Sequence, residues 1–218
     1  MLFQNGQKIV FTGDSITDSN RKRPVGEGLW EGVGGGYVRQ VDTLLNVLYP
    51  EMLFHIANTG WSGNTSKDLL ERFDRDVLDL NPDWIFIMIG ANDVWRQFDE
   101  PGQISQHVGL AQYTQNVSDM VKKALAKGKQ VICLTPYYIE PNKQDPMRIR
   151  MDEYGLAMKR VCEANGVLCI DTQAIFDDYT RYRHPCYITW DHIHAGHIGS
   201  MLLAKTILAA IGVDRPLY

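Results

Sequence analysis

The chain has 218 residues, with 22 Lys and Arg against 26 Asp and Glu, a formal net charge of −4 and 44% hydrophobic residues. That length holds one sizeable domain or two small ones, and the composition excludes disordered, collagen-like and disulfide-scaffold classes. A mildly acidic chain lacks the concentrated positive charge that grips a phosphate backbone, so nucleic acid is not an expected partner. The short runs Arg21-Lys22-Arg23 and Lys122-Lys123 read as solvated surface.

From the N-terminus, Met1 to Lys8 offers no basic segment followed by an apolar one, so no secretory signal is expected. Lys8–Thr12 then reads as a first strand, and a long loop over 13–36 follows it. Val38, Val41, Leu45 and Leu48 recur at helical spacing. Leu53–Ala57 reads as a second strand, and Thr65–Leu80 as a helix capped at Asn64 or Thr65 with Leu69, Leu70, Phe73 and Val77 on one side. Trp84–Ile89 is a third strand. The apolar stretch around it, Trp84 to Ala91, is too short to span a membrane, and no membrane partner is expected. After a loop over 90–107, Val117, Met120, Val121, Ala124 and Leu125 form a helix closed by Lys127-Gly128.

Gln130–Thr135 is a fourth strand, followed by a loop over 136–146 and a helix over Met147–Ala164 that Gly155 weakens. Val167–Ile170 is a fifth strand, and a loop over 181–194 leads to a last helix, Ala195–Ile211. The strands are short, continuously apolar and separated by helices, the pattern of a parallel sheet covered on both faces. One α/β domain over residues 1–218 is therefore expected. Cys133, Cys162, Cys169 and Cys186 show no C-x-x-C spacing. Cys133 and Cys169 read as buried free thiols, which points to a reducing, cytoplasmic setting.

Three of the long loops begin where a strand ends, and in open α/β sheets ligands bind beyond the carboxyl ends of the strands. The polar blocks found there are Gly13-Asp14-Ser15-Ile16-Thr17, Asn58 to Thr65, and Gly90-Ala91-Asn92-Asp93. Asp191-His192-Ile193-His194 precedes the last helix. Alone, each is ordinary: a Gly-Asp-Ser is usually a turn and a Ser-Gly-Asn usually a cap. Together, in this order and at these positions, they form a constellation. No serine sits in a G-x-S-x-G elbow. Gly34-Gly35-Gly36 does not follow a strand and is no dinucleotide fingerprint. His192, His194 and His197 lack a carboxylate or thiol at ligand spacing, so neither a metal nor another cofactor is expected.

The blocks resemble the SGNH hydrolase superfamily, the GDSL-type esterases and lipases, with GDSI here in place of GDSL. The resemblance implies a three-layer, flavodoxin-like α/β/α sandwich, with the five strands read above as its central parallel sheet. It implies Ser15 as nucleophile, Asp191 and His194 as the other triad members, and Ser15, Gly63 and Asn92 as oxyanion-hole donors. The chemistry fits these residue types. A serine hydroxyl needs a base within hydrogen-bond reach, the base needs an acid that fixes its tautomer, and the developing oxyanion needs donors already in place. Gly63 suits a backbone N–H that approaches a substrate closely. Asp14 and Asp93 read as residues that orient loop backbone, and His192 as a neighbour of the site.

Trp30, Trp61, Trp95, Tyr137, Tyr138, Tyr187 and Trp190 lie in or beside the loops, where aromatic faces can pack on sugar rings. Trp95 and Trp190 are the candidate substrate-binding walls. The segments GDSITD, SGNT, MIGANDVWRQ, TPYYIEPNKQDPMR and WDHIH resemble the intracellular carbohydrate (xylan) acetylesterases of the superfamily. That resemblance implies a small acetylated oligosaccharide as substrate and a homo-oligomeric enzyme. The alternatives are an esterase for another short-chain ester, thioester or lysophospholipid, and a non-catalytic carbohydrate-binding module.

Overall fold

Strand β1 (Lys8–Gly13) carries Ile9, Val10 and Phe11 with no exposed surface, so both of its faces must be covered. The computed structural model, which describes residues 1–215, meets that demand with one sheet between two helical layers. β2 (His55–Asn58), β3 (Trp84–Met88), β4 (Gln130–Leu134) and β5 (Leu168–Ile170) join β1 in the order β2-β1-β3-β4-β5, every pair parallel. The helices in chain order are α1 (Ser15–Asp18), α2 (Tyr37–Leu48), α3 (Ser66–Asp76), α4 (Ala91–Asp99), α5 (Leu110–Ala126), α6 (Pro146–Asn165), α7 (Thr172–Thr180) and α8 (His197–Ala210). On one side α8 packs on α2 and α7; on the other α5 packs on α3 and α6.

The strand order positions the site. From β1 the chain moves to β2 on one side, then crosses back to β3 on the other. Such a reversal opens a crevice at the carboxyl ends of the two central strands. Gly13 lies in register with Met88 there, and a Cβ at Gly13 would stand 2.1 Å from the Met88 carbonyl oxygen. Only glycine lets β1 end so close to β3 and turn into α1.

Most expected elements appear; α1 is an added single turn inside the expected loop over 13–36, and four further differences stand out. β2 starts at His55 rather than Leu53, because Leu53 lies in the preceding turn and is exposed. The helix expected over Thr65–Leu80 ends at Asp76, and Leu78–Leu80 forms a separate single turn. The stretch 90–107 is not simply a loop, since α4 occupies its first half. Finally, α7 stands where no helix was expected; Asp171 caps it by accepting from the Ala174 N–H at 3.2 Å. α4 and α7 are each nine residues long, too short for a periodic apolar stripe to stand out. Gly155 remains inside α6, and Asp145 and Pro146 start that helix with a side-chain cap and a fixed φ.

Candidate active site

Ser15 is the first residue of α1, directly beyond β1. Asp14 caps the turn, its Oδ1 accepting from the Ile16 N–H at 3.0 Å, which holds the Ser15 backbone at the mouth of the crevice. Ser15 Oγ lies 2.8 Å from His194 Nε2. On the far side of the ring, His194 Nδ1 lies 2.5 Å from Asp191 Oδ2. A carboxylate can only accept, so the ring proton sits on Nδ1 and the Nε2 lone pair faces the serine hydroxyl. The other carboxylate oxygen of Asp191 accepts from the N–H groups of His194 at 2.8 Å and Ile193 at 3.0 Å. Burial alone would raise the Asp191 pKa; the His194 ring and these two amides outweigh it and hold the carboxyl below its usual range. The three side chains expected from 179 residues of intervening chain are thus in one hydrogen-bonded line.

Gly63 and Asn92 come from the next two strand ends. Gly63 has φ +84°, and nothing stands within 4 Å of where its Cβ would be. Its backbone conformation is one that favours glycine whatever the space around it. Asn92 lies buried in the first turn of α4, and its Nδ2 donates to the Asn64 carbonyl at 3.0 Å. That bond ties the β3 block to the residue next to Gly63. Asp93 does the same job one residue on, accepting from the Ser66 N–H and from Ser66 Oγ at 2.5 Å. Burial raises Asp93 to about 7 against the pull of those bonds, and raises Asp14 to about 6.

The loop carrying Gly63 is also held from below by arginines. Arg72 of α3, buried, donates to the Gly13 carbonyl at 3.0 Å, the Thr59 carbonyl at 2.8 Å and Asn64 Oδ1 at 2.6 Å. Arg21 and Arg23 both donate to the Gly60 carbonyl, at 2.8 and 3.1 Å. Asp18 receives the Ser62 N–H at 2.9 Å and the Arg23 guanidinium at 2.6 Å. Asn58 spans the same gap, accepting from the Gly60 N–H and donating to the Thr17 and Val33 carbonyls.

Against this geometry, a family model described as the GDSL-like Lipase/Acylhydrolase family matches residues 11–200. The chain belongs to that family. It is similar to an acetylxylan esterase of Geobacillus stearothermophilus, 44% identical over 214 residues and 98% of each chain. The crystal structure of that esterase, Axe2, superposes with a TM-score of 0.96 at 43% identity, again over 98% of each chain. The alpha/beta hydrolase LAE5, from the metagenome of Lake Arreo in Spain, superposes at 0.95 with 44% identity over 98% of each chain. Like its family, the protein is a carboxylic ester hydrolase.

The aromatic residues of this GDSL-like hydrolase differ in their surroundings. Trp95 lies beside the His194 ring, with centroids 5.9 Å apart. Trp190 is 85% exposed and stands out from the protein next to Asp191. Tyr137 is fully buried against Phe176 and lines nothing. Trp61 is half exposed, with the Arg23 guanidinium 4.5 Å from its ring. His192 adopts a left-handed backbone, φ +65°, and forms a two-way bridge with Ile139: its Nδ1 lies 2.8 Å from the Ile139 carbonyl, while its own carbonyl accepts the Ile139 N–H at 2.8 Å. It anchors the Asp191–His194 loop to the segment after β4. No cluster of three metal-ligating side chains exists among the described residues. Sequence reasoning missed Arg72 and Arg21, since an arginine in a polar helix or loop reads as solvent-facing; their burial follows only from the tertiary arrangement.

Proposed function

We propose that Ser15, His194 and Asp191 are the catalytic triad of an esterase that removes acetyl groups from acetylated xylo-oligosaccharides. The observation that carries the reading is the uninterrupted line from Ser15 Oγ through the His194 ring to Asp191, at 2.8 and 2.5 Å. His194 takes the Ser15 proton at Nε2 as Oγ attacks the acetyl carbonyl, and Asp191 stabilises the imidazolium that forms. The carbonyl oxygen becomes an oxyanion, received by the Ser15 and Gly63 N–H groups and by Asn92 Nδ2. His194 then gives its proton to the departing sugar oxygen as the acyl C–O bond breaks, releasing the sugar with a free hydroxyl and leaving acetyl-Ser15. In the second half, His194 deprotonates a water that attacks the acetyl carbon. Acetate departs and Ser15 regains its proton.

Similarity to acetylxylan esterases along nearly the whole chain supports the substrate. Trp95, beside the His194 ring, and the exposed Trp190, next to Asp191, serve as apolar faces for the sugar. The reading extends to a cytoplasmic, homo-oligomeric enzyme acting on small soluble oligosaccharides. It is in keeping with four free cysteines and with the absence, among the described residues, of a helix long and apolar enough to cross a membrane. Acetate release from acetylated xylo-oligosaccharides, compared with hydrolysis of long-chain acyl esters, tests the substrate. Preference for the long acyl chain would overturn it.

A further inference from the structure

We infer that Arg96 is a positioning residue of the oxyanion hole: it fixes which end of the Asn92 carboxamide faces the substrate. The inference rests on the reading of Asn92 as an oxyanion donor.

A carboxamide is nearly symmetric in shape, and rotation by half a turn exchanges a donor for an acceptor. In the wrong orientation Asn92 would present an oxygen to the developing negative charge. Two partners decide the matter here. The Asn92 Nδ2 group donates to the Asn64 carbonyl at 3.0 Å, and its Oδ1 accepts from Arg96 Nη2 at 3.3 Å. A guanidinium has donors only, so it tolerates only the amide oxygen. Rotating the amide would set NH₂ against the guanidinium and oxygen against the Asn64 carbonyl, losing both bonds at once. The arrangement leaves the second Nδ2 hydrogen for the oxyanion. A cation on Oδ1 also draws electron density towards that oxygen, which makes the Nδ2 hydrogens better donors.

The spacing explains why this arginine does it. Asn92 and Arg96 are four residues apart on α4, hence on one face a single turn apart. Asn92 is 3% exposed whereas the Arg96 side chain is 28% exposed, so the guanidinium reaches inward from the rim. It is held in place on its other sides. Asp99 pairs with it, Glu100 lies 3.9 Å away, and its Cζ lies 5.1 Å from the Trp95 ring centre. Trp95 in turn flanks His194. Arg96 therefore links the acceptor side of the reaction to the aromatic beside the base without being placed on substrate itself.

The test is a double-mutant cycle on the full-length enzyme, with acetate release giving kcat and KM. Arg96→Met keeps an unbranched apolar stem to pack on Trp95 and removes both charge and donors. It should lower kcat about ten-fold, the lower end of what a charge-assisted bond contributes, with KM within two-fold or so. Arg96→Lys should recover part of that loss, because it restores the charge without the fork. Asn92→Ala alone should lower kcat by about 10²–10³. In the Asn92→Ala background, Arg96→Met should change kcat no further. A loss that persists in that background would show Arg96 acting directly on substrate or oxyanion and overturn the inference. So would a change confined to KM, or wild-type kcat in Arg96→Met while Asn92→Ala is impaired. If Asn92→Ala were fully active, the reading of Asn92 itself would fail instead.

Discussion

Asp191 grips His194 at two places, taking the ring Nδ1–H on Oδ2 at 2.5 Å and the His194 backbone N–H on Oδ1 at 2.8 Å. One carboxylate thus fixes the tautomer of the His194 ring and the position of the chain that carries it. Asp191→Asn keeps the shape but can present an amide donor to Nδ1, which drives the ring proton to Nε2 and turns it towards Ser15. The expected result is a fall in kcat of about 10⁴-fold with little change in thermal stability. Steady-state kinetics with a melting curve on the same samples checks it; a loss below ten-fold would remove Asp191 from the relay.

Asp14 makes a pH-dependent contribution of defined sign. Burial raises its pKa from 3.8 to about 6, so between those values the native state holds more protons than the unfolded chain. Stability from this group is therefore largest below about pH 4 and declines as pH rises through 6. Asp93, raised to about 7 by burial, acts in the same direction over a wider window. The stability difference between wild type and Asp14→Asn should move in favour of the variant by on the order of 3 kcal/mol between pH 4 and pH 8. Urea unfolding at the two pH values measures it, and a difference that stays constant would contradict the assignment.

Two glycines beside the nucleophile should respond differently to alanine. At Gly13 the new methyl meets the Met88 carbonyl at 2.1 Å, so the sheet itself must give way and soluble yield should collapse. At Gly63 there is room, and the cost is the left-handed backbone, about 1–2 kcal/mol. Gly63→Ala should fold, with kcat reduced by at least ten-fold or so because relief of that strain turns the N–H away from the oxyanion. Circular dichroism and kinetics on the two variants distinguish conformation from contact.

Arg72 is a prediction about stability. Arg72→Ala strips partners from the Gly13 and Thr59 carbonyls and from Asn64 Oδ1, all near the buried base of the site. A loss of about 3 kcal/mol or more is expected by chemical denaturation, and added guanidinium ion should restore part of the activity of the folded fraction. An unaltered midpoint would mean that these loops are held by Arg21, Arg23 and Asn58 alone.

The sheet was legible because continuous apolar runs such as Ile9 to Phe11 and Trp84 to Ile89 leave few other ways to be buried. Ser15, Asp191 and His194 could be singled out because each sits in a short polar block at a strand end or just before the last helix, and the structure brings them within hydrogen-bond distance. What the residues did not disclose is how those blocks are locked together. Arg72 is four residues from Asp76 in a highly charged helix, and nothing in that pattern distinguishes a surface pair from a guanidinium turned inward onto the end of β1 and the loop after β2. Tyr137 is a loop aromatic whose ring closes the core against Phe176, and its place in the sequence alone does not separate it from an aromatic beside the site such as Trp95. The positive φ of Gly63 is a feature of the folded loop that its sequence block did not disclose.

The most direct test is acetate release from acetylated xylo-oligosaccharides by the wild-type enzyme and by Ser15→Ala, with folding of the variant verified by its melting curve. The wild type should turn over acetyl groups, and the variant should lose about 10⁴-fold or more of kcat while remaining folded. Equal acetate release by the two proteins would contradict the serine acyl-enzyme mechanism; no release by a folded wild type would contradict the substrate.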